Sequence, residues 1–223
     1  MLLFATDTSG KHGSIALARC RPDTTCEVIE VVALAGGTFS AQLVPQAAAL
    51  LAKHGFTKQD IGAFAVVSGP GSFTGLRVGL AAIKALAEVL GKPIAAVSLL
   101  EAVATVDRTP GRVMAAMDAG RGEVYIGEYE AGEVATNAGE RLVTLEEFLA
   151  SANGYSVVTP DQGIAKAARN AGLQVQEIER PQSDEIARLG WKKILAGDTV
   201  SPEALEANYI RRSDAEIFSK SGS

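Results

Sequence analysis

A glycine-rich segment, Gly69-Pro-Gly-Ser-Phe-Thr-Gly75, follows the continuous apolar run Ala63–Ser68 and precedes a long apolar helix. Glycines permit close backbone approach, and the free N–H groups at a helix N-terminus attract anions. The segment therefore predicts a position near a phosphate or carboxylate group for Gly71, Ser72, Thr74 and Gly75. The alternative is a tight strand–helix joint in which Ser72 or Thr74 only caps the helix.

The same segment lacks the signatures of two common catalytic loops. A phosphate-binding P-loop has Lys and then Ser or Thr after its last glycine, whereas Leu76 and Arg77 follow Gly75. A nucleophile elbow has one residue between each glycine and the serine, whereas Ser72 follows Gly71 directly. We therefore predict no catalytic residue here.

Two acidic hairpins form a second candidate. Asp7-Thr-Ser9 and Asp118-Ala-Gly120 each follow an apolar strand and precede another strand. If the chain has two lobes, Asp7, Ser9 and Asp118 would face each other across a cleft, where carboxylates organise a hydrated cation and small residues admit phosphates. The alternative is that Asp and Gly simply form good turns.

The sequence offers few residues for metal binding or thiol chemistry. His12 and His54 are the two histidines, and neither has a second ligand at a suitable spacing, so we predict no metal site. Cys20 and Cys26 flank a predicted turn. We expect two free thiols in a reducing compartment, with a disulfide as the alternative.

Charge and composition limit the class of protein. The 223 residues include 21 Lys and Arg against 26 Asp and Glu, a formal net charge of −5, whereas dedicated nucleic-acid binders are normally basic. A hydrophobic fraction of 47% excludes disorder as the main state. No apolar run approaches the about 18 residues of a membrane span, and the first residues lack a basic leader, so we expect a cytoplasmic protein.

The strand and helix pattern repeats halfway along the chain. The segments LLFATDTSGKHGSIALA and RVMAAMDAGRGEVYIGEY share one plan, an apolar strand ending in Asp, a turn with Gly, and a second strand. We predict an α/β fold of two lobes, each a β-β-β-α-β-α unit, with residues 1–107 in the N-terminal lobe and 108–223 in the C-terminal lobe. Coincidental pseudo-symmetry in a generic α/β protein is the alternative.

Two predicted helices, Ser40–Lys53 and Leu76–Leu90, are apolar nearly all round. Such helices must be covered on both sides, which favours a subunit interface over burial beneath the other lobe. We place the partner interface, and a homodimer when the chain is alone, on Leu43, Ala47, Leu50, Leu76, Leu80, Ile83, Lys84 and Ala87.

These motifs resemble a known family. The DTS start, GSIAL, GPGSFTGLRVG, KPIAAVSLLEA, DAGRGEVYIGEY and the final NYIRR and DAE are similar to the TsaB (YeaZ) family, from Leu2 to about Glu216. The resemblance implies an actin-like, Hsp70-like two-lobed ATPase fold, once labelled an M22 glycoprotease. It also implies a scaffold that pairs through its first two helices with the catalytic paralogue TsaD, which the ATPase TsaE joins.

The sequence departs from the catalytic relatives in ways that bear on function. The helix SAQLVPQAAALLAKHG lacks the two metal-binding histidines of the paralogue. Within the TsaB-like chains themselves, His often stands beside Ser at the position where this chain has Phe39-Ser40. The second lobe offers one glycine at Asp161-Gln-Gly163 for an adenosine site. We therefore predict a non-catalytic subunit of tRNA threonylcarbamoylation, with no intrinsic cofactor, ATP or ADP at a shared interface, and tRNA bound only through the complex. An actin-fold ATPase, kinase or transferase acting alone is the alternative, and a peptidase has no nucleophile–base pair in its favour.

Overall fold

The computed structural model describes residues 1–23, 25–106, 111–131 and 136–210. In chain order its elements are β1 (Leu2–Asp7), β2 (Gly13–Cys20), β3 (Cys26–Leu34), α1 (Phe39–Lys53), a 3₁₀ turn (Lys58–Asp60), β4 (Ile61–Gly69), α2 (Phe73–Leu90), β5 (Ile94–Ser98), α3 (Leu99–Ala104), β6 (Gly111–Gly120), β7 (Glu123–Ala131), β8 (Thr136–Thr144), α4 (Leu145–Ser151), β9 (Ser156–Thr159), α5 (Gln162–Asn170), β10 (Val175–Glu177) and α6 (Ser183–Leu195).

The first compact unit contains Met1–Ser98 and Pro181–Asn208. Its five-stranded sheet has the order β3-β2-β1-β4-β5. β1 pairs antiparallel with β2 and parallel with β4, which pairs parallel with β5. The central strands β1 and β4 are buried along almost their whole length, because α1, α2 and α6 pack on this sheet.

The second unit contains Leu99–Arg180 together with Tyr209 and Ile210. Its five-stranded sheet has the order β10-β9-β6-β7-β8. β6 pairs antiparallel with β7 and parallel with β9, as β1 does with β2 and β4 in the first unit. The two sheets therefore have the same topology, and the predicted duplication is confirmed.

The observed units differ from the predicted lobes, residues 1–107 and 108–223, because α6 belongs to the first unit. This helix comes late in the chain but packs on the first sheet. The N–H of Ser183, its first residue, donates to Oγ of Ser14 at 2.9 Å, and Trp191 Nε1 donates to the carbonyl of Arg21, also at 2.9 Å. The chain returns to the first unit at Pro181. There α6 buries its apolar face against the first sheet.

The expectation of two free thiols is wrong for this structure, in which Cys20 and Cys26 form a disulfide. The two residues are direct partners in the antiparallel register of β2 and β3. Opposed residues in such a ladder have their Cβ atoms close together, which brings the sulfur atoms within reach of each other.

The helices of the described residues include none that is both long and apolar enough to span a membrane.

α2 ends at Gly91, which adopts a left-handed conformation with φ 63°. Glycine has no Cβ to oppose this conformation, which explains the end of the helix where the sequence analysis placed it.

We expect Gly190→Ala to lower the free energy of unfolding by about 1–3 kcal/mol, the usual cost of overpacking. A Cβ on Gly190 would lie 2.4 Å from the Cβ of Ala65, so α6 would have to move off β4. Gly163→Ala in α5 is the matched control, because its Cβ would have no atom within 4 Å. Urea unfolding measures both, and a Gly190→Ala protein as stable as the native one would contradict the close packing.

Candidate functional site

The loop after β1 is buried and closed on itself. Asp7 is 3% exposed and Ser9 is 2% exposed. One carboxylate oxygen of Asp7, Oδ1, accepts hydrogen bonds from the N–H of Ser9 at 2.7 Å and from its hydroxyl at 2.5 Å. The side chain of Asp7 therefore stabilises the turn, as the turn interpretation of this hairpin requires.

Helix α2 begins at Phe73, before the predicted start at Leu76, because Ser72 caps it. Oγ of Ser72 accepts from the N–H of Gly75 at 3.3 Å. The N–H of Ser72 itself donates to the carbonyl of Ser9 at 2.7 Å. These two N–H groups at the start of the helix are therefore used within the chain.

Glycines at every fourth position let this loop lie directly on α2. A Cβ would lie 2.5 Å from the carbonyl oxygen of Ser9 if placed on Gly71, and 2.0 Å from that of Thr8 if placed on Gly75. On Gly79 it would lie 2.4 Å from Oγ1 of Thr8, which donates to the carbonyl of Gly75 at 2.7 Å. Gly71 and Gly75 are thus required for close approach and not for a positive φ.

Six residues of the first unit were predicted to lie near an anion, and five of them form one cluster. A tight joint between loop and helix brings together Asp7, Ser9, Gly71, Ser72 and Gly75. Thr74 instead is exposed and lines the groove between α1 and α2. Thr8 and Gly79 also belong to this joint and were not predicted, although the four-residue spacing of the glycines was the signal that could have identified the contact.

Asn208, the first residue of the NYIRR motif, packs beside the same joint. The N–H of Asn208 donates to the carbonyl of Ser68 at 2.7 Å. A Cβ on Gly69 would lie 2.5 Å from the carbonyl oxygen of Asn208. The first glycine of the glycine-rich segment therefore makes room for the returning chain.

Asp118 lies in the second unit, at the end of β6, and is exposed. Its Oδ1 accepts from the N–H of Gly120 at 2.8 Å, and its own N–H donates to Oδ2 of Asp161 at 2.8 Å. The turn that follows has positive φ at Arg121 (59°) and Gly122 (76°), which matches the right-handed twist of a tight hairpin. As at Asp7, the carboxylate supports a turn.

Within the part of the chain that the structure describes, neither histidine is placed in a group of potential metal ligands. Among the described residues, no group of three or more His, Cys, Asp or Glu side chains is arranged to hold a metal ion. His54 Nε2 lies 2.7 Å from Glu30 Oε2, and Lys53 Nζ lies 2.7 Å from Oε1 of the same residue. Hydrogen bonds from Lys53, which has the larger effect, and from His54 hold the pKa of Glu30 below its usual range. This network ties the end of α1 to β3.

Most of the residues predicted to contact a partner are buried inside the first unit, so they present little surface to a partner. Lys84 is half-buried, whereas the rest are 8% exposed or less: Leu43, Ala47, Leu50, Leu76, Leu80, Ile83 and Ala87. Both helices cover the first sheet, so their most apolar positions point inward. The prediction identified the helices correctly as apolar, but most of the chosen positions lie on the inward faces; Leu43 is an exception, since it also lines the groove between the two helices.

The opposite faces of these helices form an exposed apolar groove of about 500 Å³. Val44 of α1 is 56% exposed, and Phe73 of α2 is 38% exposed. Val78 and Ala81 continue the lining along α2. The guanidinium of Arg77, also in the groove, lies 3.7 Å from the centre of the Phe73 ring. We call this surface the α1–α2 face.

Comparison with known proteins gives the family. The sequence matches the family model described as TsaD, tRNA N6-adenosine threonylcarbamoyltransferase, over residues 33–201. It is 30% identical over 217 residues to the tRNA threonylcarbamoyladenosine biosynthesis protein TsaB of Escherichia coli strain K12, covering 86% of this chain and 94% of the relative. The chain belongs to the TsaB (YeaZ) family. TsaB of Bacillus subtilis strain 168 is 29% identical over 234 residues, covering 97% of this chain and 96% of the relative.

Solved structures of the TsaB (YeaZ) family share the fold. YeaZ from Pseudomonas aeruginosa superposes with a TM-score of 0.75 at 25% identity, covering 93% of this chain and all of that one. A second crystal structure, described as an uncharacterized protein similar to peptidase YeaZ from the same organism, gives a TM-score of 0.77 at 25% identity and covers 94% and 99%. The predicted actin-like α/β fold with two duplicated units is confirmed.

We expect Gly75→Ala to cost about 1–3 kcal/mol of unfolding free energy, because its Cβ would overlap the backbone of Thr8. Ser72→Ala, one turn away, removes only a helix cap and should cost about 1 kcal/mol. Chemical denaturation of both variants tests the packing role of the segment. Equal, small losses would mean that the loop does not rest on α2 as described.

Proposed function

We propose that this chain is a non-catalytic subunit in the threonylcarbamoyl modification of adenosine in tRNA. It pairs with a TsaD-type catalytic subunit through the α1–α2 face. Membership of a family whose curated relatives are named as TsaB biosynthesis proteins supports the process. The exposed apolar groove supports the mode of action and is the observation that carries the proposal.

The groove has the properties of a docking site for a helix. Val44 and Phe73 are large apolar side chains exposed on neighbouring helices, and contiguous exposed apolar surface marks interaction sites. An amphipathic helix laid between two others buries its apolar face in such a groove. A large apolar side chain such as Val or Phe contributes about 1.5–3 kcal/mol when it is fully removed from water.

The hydrogen bonding of the candidate site supports a structural rather than a catalytic role. Asp7 accepts two hydrogen bonds from Ser9, and Ser72 caps α2. Each of these side chains stabilises the joint between the loop and the helix. A general base, by contrast, must lie within hydrogen-bond reach of the proton that it abstracts from a substrate.

In this proposal, the partner proteins bind the tRNA and carry the groups that react. A chain of net charge −5 is a poor match for the phosphate backbone of RNA, so tRNA binds through the complex. ATP or ADP binds at a shared interface rather than to this chain alone, and a TsaE-type ATPase joins the pair. The complex works in the cytoplasm, where tRNA is modified.

We expect Val44→Glu to weaken assembly with a TsaD-type partner by at least about tenfold, because a buried unpaired charge costs several kcal/mol. Since Val44 is 56% exposed, the isolated chain should fold normally. Leu195→Glu is the matched control, because Leu195 is 40% exposed but lies on α6. Tenfold weakening should reduce tRNA modification at limiting subunit concentration, and excess variant should restore it.

Two results would contradict the proposal. Normal assembly and modification with Val44→Glu would remove the α1–α2 face as the docking surface. Nucleotide hydrolysis or group transfer by the chain alone would instead favour an independent actin-fold ATPase, kinase or transferase.

A further inference from the structure

The backbone around Cys20 and Cys26 holds their side chains together independently of the bond between the sulfur atoms. The N–H of Cys20 donates to the carbonyl of Met1 at 2.9 Å, and the amino group of Met1 donates to the carbonyl of Cys20 at 2.8 Å. Both backbone groups of Cys20 therefore bond to Met1, and Cys20 faces Cys26 as a non-hydrogen-bonded pair of the β2–β3 ladder. Facing side chains come closest at such pairs.

Two further hydrogen bonds fix this end of the ladder. The N–H of Arg21 donates to the carbonyl of Thr25 at 2.7 Å. The indole Nε1 of Trp191, in α6, donates to the carbonyl of Arg21 at 2.9 Å. None of these hydrogen bonds involves a sulfur atom. If the disulfide is reduced, the two thiols therefore remain facing each other and can close the bond again.

The two cysteines differ in their access to solvent. Cys20 is 0% exposed. Cys26 is half-buried and lies on β3, the edge strand of the first sheet. Thiol–disulfide exchange requires access to the sulfur that is attacked. A thiol in solution therefore reaches Cys26, and Cys20 is the sulfur that leaves.

The reduced state has a hydrogen bond that the oxidised state lacks. Sγ of Cys26 lies 3.8 Å from the carbonyl oxygen of Ala187 in α6. A thiol S–H is a weak donor, whereas a sulfur atom in a disulfide has no proton to donate. The contact with Ala187 therefore supports the thiol form of Cys26, so both states of the pair have a place in the fold.

We propose that Cys20 and Cys26 form a reversible redox site that exchanges with small thiols and their disulfides. Disulfides in a reducing compartment are usually transient and not structural. The inference rests on the proposed function in this respect, since that function places the chain in the cytoplasm.

Reduction takes two steps. The thiolate of a first small thiol attacks Sγ of Cys26, the protein S–S bond breaks, and Cys20 leaves as a thiolate. A second small thiol attacks the small-molecule sulfur of the mixed disulfide, and Cys26 leaves as a thiolate. The two small thiols are oxidised to one disulfide, and the protons that they lose convert both cysteines to thiols. Oxidation of the chain is the reverse, with a small disulfide as the oxidant.

Equilibration of the native chain with mixtures of reduced and oxidised glutathione tests reversibility. Alkylation and mass spectrometry count the protein thiols. We expect no free thiol in oxidised glutathione, two in reduced glutathione, and the same midpoint from both directions. Trp191, the only tryptophan of the chain, is 3% exposed. Its fluorescence should therefore remain that of a buried indole in both states.

Three results with the native chain would overturn the inference. A bond that survives in reduced glutathione would be a structural cross-link, and so would a bond whose reduction unfolds the chain. Two thiols that persist in oxidised glutathione would show that the pair does not cycle.

Cys20→Ala and Cys26→Ala are matched variants that test the order of attack. Cys20→Ala should form a mixed disulfide with oxidised glutathione and keep it, because no second thiol can expel the glutathione. Cys26→Ala should react at least about tenfold more slowly, since its remaining thiol is buried. Equal rates in two variants with native Trp191 fluorescence would overturn the inference. If either variant unfolds, the equilibration of the native chain still decides it.

The outcome for the redox site is separate from that for the proposed function. Glutathione exchange is measured on the isolated chain. Docking of the TsaD-type partner is decided by Val44→Glu in the reconstituted complex.

Discussion

The contact between the loop after β1 and the start of α2 determines most of what the first unit presents to its surroundings. The carbonyl oxygen of Thr8 occupies the place where a Cβ of Gly75 would be, and the hydroxyl of Thr8 occupies the place beside Gly79. Because the loop continues from β1, this contact fixes α2 against the sheet at one height and one rotation. The rotation decides which side chains of α2 are buried and which form the α1–α2 face.

The same residues explain why a glycine-rich motif after a strand need not bind phosphate. Glycines in such a segment permit close approach of backbone to a ligand, but they equally permit close approach of backbone to backbone. Here the N–H of Ser72 is bonded to Ser9, and the glycines accommodate Thr8, Ser9 and Asn208. The glycines of this motif therefore position the loop against α2, which gives the α1–α2 face a defined shape.

The sequence predicted the fold where its strand–turn–strand pattern repeats. It predicted the arrangement of the site only where the residue types themselves determine a local turn or cap. The duplicated strand–turn–strand pattern around Asp7 and Asp118 predicted two equivalent sheets. The third strand of the second sheet, β8, was not located, since its sequence TNAGERLVT has little apolar alternation. The return of α6 to the first sheet depends on long-range contacts at Ser14 and Ala65, which local pattern does not contain.

The partner surface illustrates the same limit. An apolar helix such as α2 has no polar half to mark its outer side, so periodicity alone could not distinguish Leu80, which is buried, from Ala81, which is exposed. The disulfide was only the alternative in the sequence analysis for a related reason, because the pairing of Cys20 with Cys26 follows from strand register and not from the spacing of the cysteines.

The central claim is that this chain contributes a surface and no reacting group. The most direct test is the rate of tRNA threonylcarbamoylation by the reconstituted complex with Asp7→Asn, at saturating amounts of the variant. Asparagine can still accept the hydrogen bonds from Ser9, so the account predicts a rate within a few-fold of the native one. A loss of about 100-fold or more with assembly intact, the scale on which general acid–base groups act, would contradict it.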